Sequence, residues 1–332
     1  MKRGRVIVWT MLAIAALSLS ANARTPTQPV QQDLKPGSML VFPLFDIRPG
    51  YQTELRITNT HPASSVNVQL NYVCPGSTRD QLCRALDRHI ALTGYGSQVI
   101  NVADHAPPCR EGFVVAFAEN AAVQGEGIPF DFLIGSSHIR FRGAAMSAQA
   151  IAIQSAEGAP ATFGDELDIG TTDYVAAPSH LHTDFRASQP FLCADGTPCP
   201  DRRQGARTGS ELILLTLDTI AGQHNPATSV DIDFFNENEV PFSTSYKYVC
   251  WGRTPLHEID LNFTAANLGT ATGSMVLWPA AKCPVPGGCP PLVPFDPAIL
   301  GVIVDFNDDS NYYTLRNLFH DMEPKATVYV PR

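Results

Sequence analysis

The chain has 332 residues, of which 44% are hydrophobic and 17% charged, and its formal net charge is −9 at pH 7. A chain this acidic lacks the basic surface that follows nucleic-acid phosphates, which argues against nucleic acid as a partner. The length suffices for two domains of ordinary size, and 24 glycines with 27 prolines indicate many turns.

The chain begins with a pattern typical of a secretory signal peptide. A basic segment, MKRGR, precedes an apolar run of 15 residues, VIVWTMLAIAALSLS, and a small-residue cleavage site, ANA. The apolar run is shorter than the ~20 residues of a membrane-spanning helix. We therefore expect 1–23 to be removed on export to the periplasm or the extracellular space. The mature chain then begins with a segment at 24–37 and has no transmembrane segment.

Most of the mature chain alternates apolar and polar side chains with the period of two that is typical of β-strands. In the first half, polar turns separate MLVFPLFDI, TELRITNT, SVNVQLNYVC, HIALT, SQVINVA, GFVVAFAE, FLIGSSHIRF and SAQAIAIQS. One short helix is predicted at 78–88, where Leu82, Ala85 and Leu86 share a face. Because alternating strands bury one face, two sheets must pack together, and we expect a β-sandwich domain at 38–155.

Five blocks of the second half repeat the order of blocks in the first half. One pair, ELRITNTHPASSVNVQLNYVC and SVDIDFFNENEVPFSTSYKYVC, covers two predicted strands and ends with Tyr-Val-Cys in both halves. The others pair SMLVFPLFD with SELILLTLD, RHIALTG with HEIDLNF, GFVVAF with GSMVLW, and IPFDFLIGSSHIRF with VPFDPAILGVIVDF. This order predicts an internal duplication and a second β-sandwich domain at 210–332. A single β structure formed by both repeats is the alternative.

Between the two repeats, 156–209 is a connector rich in Gly, Pro and Asp, too long for a plain linker and suited to a hairpin. The predicted fold class is all-β, with two tandem antiparallel Ig-like β-sandwich domains and little helix. The series LVFPLFD, LRITNT, VNVQLNYVC, GFVVAFA, PFDFLIGSSHIRF and AQAIAIQ resembles exported bacterial β-sandwich proteins. That resemblance implies fold and export, and it assigns a role to no residue.

An even number of cysteines follows the expected signal peptide, which indicates disulfides in an exported chain. The eight are Cys74, Cys83, Cys109, Cys193, Cys199, Cys250, Cys283 and Cys289. Zinc is the competing interpretation, but two C-x5-C spacings lack the form of a zinc knuckle and have no His nearby to complete a tetrad. These short loops, rich in Gly and Pro, predict the bridges Cys193–Cys199 and Cys283–Cys289.

Four cysteines then remain to be paired. The simplest bridge is Cys74–Cys83, which leaves Cys109 to bond with Cys250 across the two halves. The alternative pairs Cys109 with Cys74 or with Cys83. The main prediction is thus one bridge within the first half and one between the halves.

The segment DFNDDSN is a candidate calcium loop. Oxygen-bearing side chains stand at alternate positions, namely Asp305, Asn307, Asp309 and Asn311. A calcium loop of the EF-hand type has Gly at its sixth position and Glu at its twelfth, where this chain has Ser310 and Arg316. An acidic turn at a strand end is therefore the preferred interpretation, so no cofactor is assigned, and calcium is the alternative.

The segment HLHTD is a second, weaker candidate for metal binding. On a strand, His180, His182 and Asp184 share one face. Two imidazoles two positions apart can bind one metal ion if a third ligand comes from elsewhere in the chain. Exposed loop histidines are the preferred interpretation of this pattern.

Motifs for catalysis are missing from the sequence. No G-x-S-x-G elbow or nucleotide-binding glycine loop is present, and HEIDL has Leu261 where a zinc protease needs its second His. No catalytic residue is assigned, and an enzyme is disfavoured.

These observations predict an exported, non-catalytic binding or structural protein whose ligand is a protein or glycan surface. The alternative is an exported hydrolase, metal-assisted in one version, with its site at the junction of the two domains. A junction pocket lined by two carboxylates, or by His180 and His182 with a third ligand, would favour the enzyme.

Overall fold

Antiparallel strands make up most of the chain, so the all-β class predicted from the alternating pattern is confirmed. The computed structural model describes residues 35–75, 83–141, 143–163, 166–170, 172–175, 177–178, 180–190, 206–217, 227–280, 299–320, 324–326 and 328–331. Within those ranges the helices are short, with α1 at Leu256–Ile259, α2 at Ala265–Leu268 and 3₁₀ turns at Val102–His105, Leu261–Phe263 and Asp308–Ser310. In these ranges, none of the helices has the length and hydropathy needed to cross a bilayer.

The first half forms two sheets, called sheet A and sheet B. Sheet A consists, in spatial order, of Ser97–Asn101 (β5), Tyr51–Asn59 (β2), Leu133–Phe141 (β7) and Ala144–Gln149 (β8). Sheet B consists, in spatial order, of Arg84–Leu92 (β4), Val66–Cys74 (β3), Glu111–Glu119 (β6), Met39–Asp46 (β1) and Ile151–Ile153 (β9).

The second half forms one large sheet, sheet C. Its spatial order is Tyr312–Asn317 (β20), Ile299–Asn307 (β19), Ala206–Thr216 (β14), Trp251–Pro255 (β17), Pro241–Val249 (β16), Ala227–Asn236 (β15), Thr272–Ala280 (β18), Leu181–Arg186 (β12) and Phe319–His320 (β21). Beside this path, Gln189–Pro190 (β13) pairs with β14. Two small ladders join Glu166–Ile169 (β10) to Val328–Pro331 (β23) and Ala177–Pro178 (β11) to Pro324–Ala326 (β22).

Three buried apolar clusters separate the strands into four layers. The first-half cluster lies between sheets A and B and includes Leu40, Leu55, Val68, Val114 and Leu133. The shared cluster joins sheet B to β14 and β19 and includes Val41, Phe113, Phe117, Ile213 and Val302. The second-half cluster lies inside sheet C, which curls over on itself, and includes Leu212, Val230, Phe234, Leu277 and Ile303.

The two middle layers are built from segments whose apolar runs are continuous. In β14, Leu212 and Leu214 contact the second-half cluster, while Ile213 and Leu215 contact the shared cluster. A strand buried on both faces favours a continuous apolar run over alternation. The outer strand β15 keeps its alternation because only one of its faces is buried.

Two local predictions were wrong. The segment HEIDLNF, expected to be a strand, forms α1 and a 3₁₀ turn. The Asp260 carboxylate caps this turn by accepting a hydrogen bond of 2.8 Å from the backbone N–H of Asn262. The described part of 78–88, expected to be helical, is the start of β4, which pairs with β3 from Arg84 opposite Cys74 onward.

The strand pairing does not repeat between the halves in the way that the matched blocks predict. Strands β15 and β16 form a hairpin, whereas their counterparts β2 and β3 lie in different sheets. Residues 32–332 group as one unit, and the shared cluster draws on both halves. The duplication, the Ig-like topology and the domain boundaries stay predictions.

Candidate ligand-binding face

The outer surface of sheet C carries an open depression of about 670 Å³, called the Trp278 face. Its lining side chains come from β15, β16 and β18 and are Asp231, Asp233, Ser243, Thr244, Ser245 and Trp278. One indole ring, two carboxylates and the hydroxyls of Ser243 and Ser245 therefore meet on one sheet surface, while Thr244 lies opposite the core residue Ile232.

Strand register and alternation bring these groups together. Asp231 lies opposite Trp278 on one neighbouring strand and opposite Ser245 on the other. Because successive side chains of a strand point to opposite faces, Val230 and Ile232 enter the second-half cluster and the aspartates face outward. The apolar core of sheet C thus fixes the backbone from which the depression is built.

The indole of Trp278 is 42% exposed, which is unusual for a side chain of its size. The imidazole of His180 stacks on it, with ring centroids 4.6 Å apart and an angle of 28° between the planes. His180 therefore holds the indole in place from one side, while the exposed part of the ring borders the depression.

The two aspartates of the Trp278 face carry uncompensated charge. Both are exposed, and in the part of the chain that the structure describes no cation forms an ion pair with Asp231 or Asp233. The cation Lys247 lies on β16 opposite Ser229, on the same face as Ser245, and forms an ion pair with neither carboxylate. The depression therefore has a negative electrostatic character.

The predicted histidine site is brought together only in part. The rings of His180 and His182 lie 4.7 Å apart, so the two share a face as expected. The carboxylate of Asp184 instead accepts a hydrogen bond from the guanidinium of Arg316. Among the residues with described positions, no group of three or more His, Cys, Asp or Glu side chains is arranged to hold a metal ion.

The predicted calcium loop is the turn between β19 and β20. The carboxylate of Asp305 accepts hydrogen bonds from Ser210 Oγ at 2.5 Å and from Arg316 at 2.6 Å. The side chain of Asn307 caps the 3₁₀ turn by accepting from the N–H of Ser310 at 3.2 Å. Asn311 ends the turn with a φ of 52°.

Arg316 occupies the carboxylate of Asp305, the first ligand of the predicted calcium loop. This residue stands at the twelfth position of the loop, where a calcium loop has a bidentate Glu, and it neutralises both Asp184 and Asp305. Burial lowers the pKa of the Arg316 guanidinium, but the hydrogen bond to Asp184 and the charge of Asp305 outweigh burial and raise it. The calcium site, with the undescribed side chain of Asp309, stays a prediction.

The cysteine pairing differs from the main prediction. Cys74 bonds to Cys109, with Cα atoms 5.7 Å apart, and Cys83 bonds to Cys250, with Cα atoms 6.3 Å apart. The predicted pairs Cys74–Cys83 and Cys109–Cys250 were therefore wrong, although Cys250 does join the two halves. The reason is that β3 and β4 place Cys74 in the first-half cluster and Cys83 beside the shared cluster.

The other two predicted bridges fall outside the described residues. They are Cys193–Cys199 and Cys283–Cys289. Cys250 itself has a φ of 60° and lies where β16 turns into β17, at the corner of sheet C. A disulfide to Cys83 thus ties this corner to the first half.

A buried ion-pair network also joins the halves. Arg253 on β17 donates to Asp46 of β1 at 2.9 Å and to Glu211 of β14 at 2.8 Å. Burial lowers the pKa of the Arg253 guanidinium, but the charges of Glu211 and Asp46 outweigh burial, so the pKa is raised and the residue stays charged. Beside it, Trp251 Nε1 donates to the backbone carbonyl of Pro43 at 2.9 Å.

A second depression, of about 550 Å³, lies on the first half near the junction. Its described lining residues are Gly50, Tyr51, Gln52, Arg140, Phe141, Gly143, Ala144 and Ala145, and they include no carboxylate. Phe141 contacts Tyr313 of the second half edge to face, with ring centroids 4.5 Å apart. These residues do not form the acidic junction pocket that a hydrolase would need.

Sequence reasoning missed the residues of the Trp278 face. Alternation in SVDIDFF already assigns Asp231 and Asp233 to the face opposite the core. In the same way, Trp278 alternates with the apolar Met275 and Leu277 and therefore belongs to the outer face of its strand. The missing information is that β15 lies beside β18, because strand neighbours depend on long-range pairing.

No protein-family model and no curated protein matches the chain. Among solved structures, the crystal structure of Thermotoga maritima 1070 is similar at 11% sequence identity, covering 35% of this chain and 95% of that one, with a TM-score of 0.27. A likeness at that score supports no argument. Fold and site together define an all-β protein with an open, aromatic-bearing sheet face.

Proposed function

We propose that the protein is an exported, non-catalytic binding protein that recognises a glycan through the Trp278 face. The observation that carries this proposal is the exposed indole of Trp278 directly beside the carboxylate of Asp231 on an open sheet surface. An indole offers a large apolar face to a sugar ring, and the carboxylates and serine hydroxyls offer hydrogen bonds to sugar hydroxyls.

A glycan suits this surface better than a protein partner. Stable protein interfaces bury roughly 800 Å² on each partner around an apolar centre. Here a single indole shares the sheet surface with two carboxylates and two serine hydroxyls. This composition suits a ligand that is polar over most of its surface and whose sugar rings each offer an apolar face to the indole.

The junction between the halves favours binding over the hydrolase alternative. Apolar side chains of the shared cluster and the network around Arg253 occupy the described part of this junction. The depression at its border has no carboxylate among its described lining residues. A hydrolase with its site at this junction would need two carboxylates, or a metal with its ligands, facing one space there.

Export is part of the proposal. It rests on the signal-peptide pattern of residues 1–23 and is supported by the two disulfides, since disulfides persist in oxidising compartments. The periplasm and the cell exterior are also where a protein meets structural polysaccharides.

Replacement of Trp278 tests the proposal. We expect Trp278→Ala to lose retention on the polysaccharide matrices that retain the mature wild-type protein, because the stacking surface is removed. Tyr312→Ala is the matched control, since Tyr312 is an aromatic residue of sheet C with 49% exposure that does not line the depression. Affinity electrophoresis against a panel of neutral, acidic and amine-bearing polysaccharides provides the measurement. Equal retention of wild type and Trp278→Ala on every matrix that binds would contradict the proposal.

A further inference from the structure

We infer that the glycan bound at the Trp278 face carries protonated amino groups on its sugar rings. This inference rests on the proposed glycan-binding function and specifies the chemical class of the ligand. It is carried by charge complementarity between the depression and its occupant.

The carboxylates of Asp231 and Asp233 project from the same face of β15, two residues and therefore about 7 Å apart. Two like charges at this distance repel each other, and a cation that binds between them relieves that repulsion. The formal net charge of the whole chain, −9 at pH 7, adds to the attraction and steers cations toward the protein over long distances.

The other carboxylates on the described strands of sheet C are already compensated. Asp184 and Asp305 both pair with Arg316, and Glu211 pairs with Arg253. Arginines thus pair with the acids elsewhere in sheet C, whereas Asp231 and Asp233 at the depression have no cationic partner among the described residues. An ammonium group from a ligand would supply the missing charge.

The indole and the carboxylate are arranged to act on one sugar residue at the same time. Trp278 and Asp231 are directly opposite on neighbouring antiparallel strands, which places their Cβ atoms about 5 Å apart. A sugar ring stacked on the indole therefore presents its substituents to the carboxylate. An ammonium substituent gains a charge-assisted hydrogen bond there and a cation–π attraction to the ring.

The serine hydroxyls complete the recognition of a sugar. Ser243 lies opposite Asp233 and Ser245 lies opposite Asp231, so each carboxylate has a hydroxyl as its neighbour. These hydroxyls donate to and accept from sugar hydroxyls, which a polybasic peptide lacks. A basic peptide would satisfy the carboxylates alone, so the presence of the indole and hydroxyls favours the amine-bearing glycan.

The experiment compares two oligosaccharides of equal length that differ in whether their amines are free or acetylated. Calorimetric titration uses a hexamer of glucosamine, at a pH where its amines are protonated, and the corresponding N-acetylated hexamer. We expect the glucosamine hexamer to bind at least about tenfold more tightly, and the difference to shrink as salt screens the charges. The double variant Asp231→Asn/Asp233→Asn should bind both hexamers equally.

The control for total charge is Asp87→Asn/Glu157→Gln, which removes one exposed acid of the first half and one of the connector, both outside the depression. This variant should keep the wild-type preference for the glucosamine hexamer.

Three outcomes separate the inference from the proposed function. Equal affinity of the wild type for the two hexamers, with binding of both lost in Trp278→Ala, would overturn the inference and leave the glycan-binding function standing. Binding of neither hexamer, together with unaltered polysaccharide retention of Trp278→Ala, would overturn both. If the protein prefers hexalysine to the glucosamine hexamer and Trp278→Ala does not change this preference, the inference is overturned and the ligand is a basic peptide.

Discussion

At the scale of single residues, the contact between the halves depends on groups whose roles are not visible in the sequence. Pro43 has no N–H to give to the sheet, and the register of β1 shifts between Phe42 and Phe45. This bulge leaves the Pro43 carbonyl to accept the indole N–H of Trp251 from the second half. A proline inside a strand pattern predicts an irregularity, but it does not say which partner uses it.

Arg253 is the residue whose loss should damage the junction most. We expect Arg253→Met to lower the free energy of unfolding by about 3 to 5 kcal/mol, because Asp46 is 0% exposed and would lose a buried partner. The surface pair of Arg140, which is 61% exposed and lies 3.5 Å from Glu54, is the control, and Arg140→Met should cost about 0.5 kcal/mol. Urea denaturation of the three proteins measures both effects. A loss below about 1 kcal/mol for Arg253→Met would show that Arg48 alone compensates Asp46.

At the scale of elements, the sequence predicted the strands well and their neighbours poorly. Alternation and continuous apolar runs are local signals, so β1, β2, β3, β6, β14 and β18 were expected close to where they lie. Pairing joins residues far apart in the chain, and similar strand patterns do not specify which strands meet. This is why the Trp278 face was not anticipated although its strands β15, β16 and β18 were, and why the Cys83–Cys250 bridge was not anticipated.

The distinction between middle and outer strands gives an element-level prediction. Leu214 and Leu215 are consecutive in β14 and are buried in different clusters. We expect Leu214→Ala and Leu215→Ala each to cost about 2 to 5 kcal/mol, because each removes buried methyl groups from a packed core. In the outer strand β15, Ile232→Ala should cost a similar amount while Asp233→Ala changes stability by less than about 0.5 kcal/mol. Thermal and urea unfolding check the pattern; a neutral Leu214→Ala or Leu215→Ala would contradict burial on both faces.

At the scale of the whole molecule, the layered arrangement of strands places the Trp278 face, our proposed binding surface, on a packed core. The Trp278 face lies on the outer side of sheet C, and the second-half cluster packs directly beneath it. The sequence contains three tryptophans, at positions 9, 251 and 278, and the first belongs to the expected signal peptide. The mature protein therefore has one buried indole at Trp251 and one exposed indole at Trp278.

The central claim is that ligand binds on Trp278, and fluorescence quenching tests it most directly. In the free mature protein, acrylamide should quench Trp278 strongly and Trp251 weakly, because only the former is exposed. A saturating concentration of the glucosamine hexamer should reduce quenching of the wild-type protein to the level of Trp278→Phe, whose remaining Trp251 reports no change. Undiminished quenching of Trp278 in the saturated complex would contradict the account.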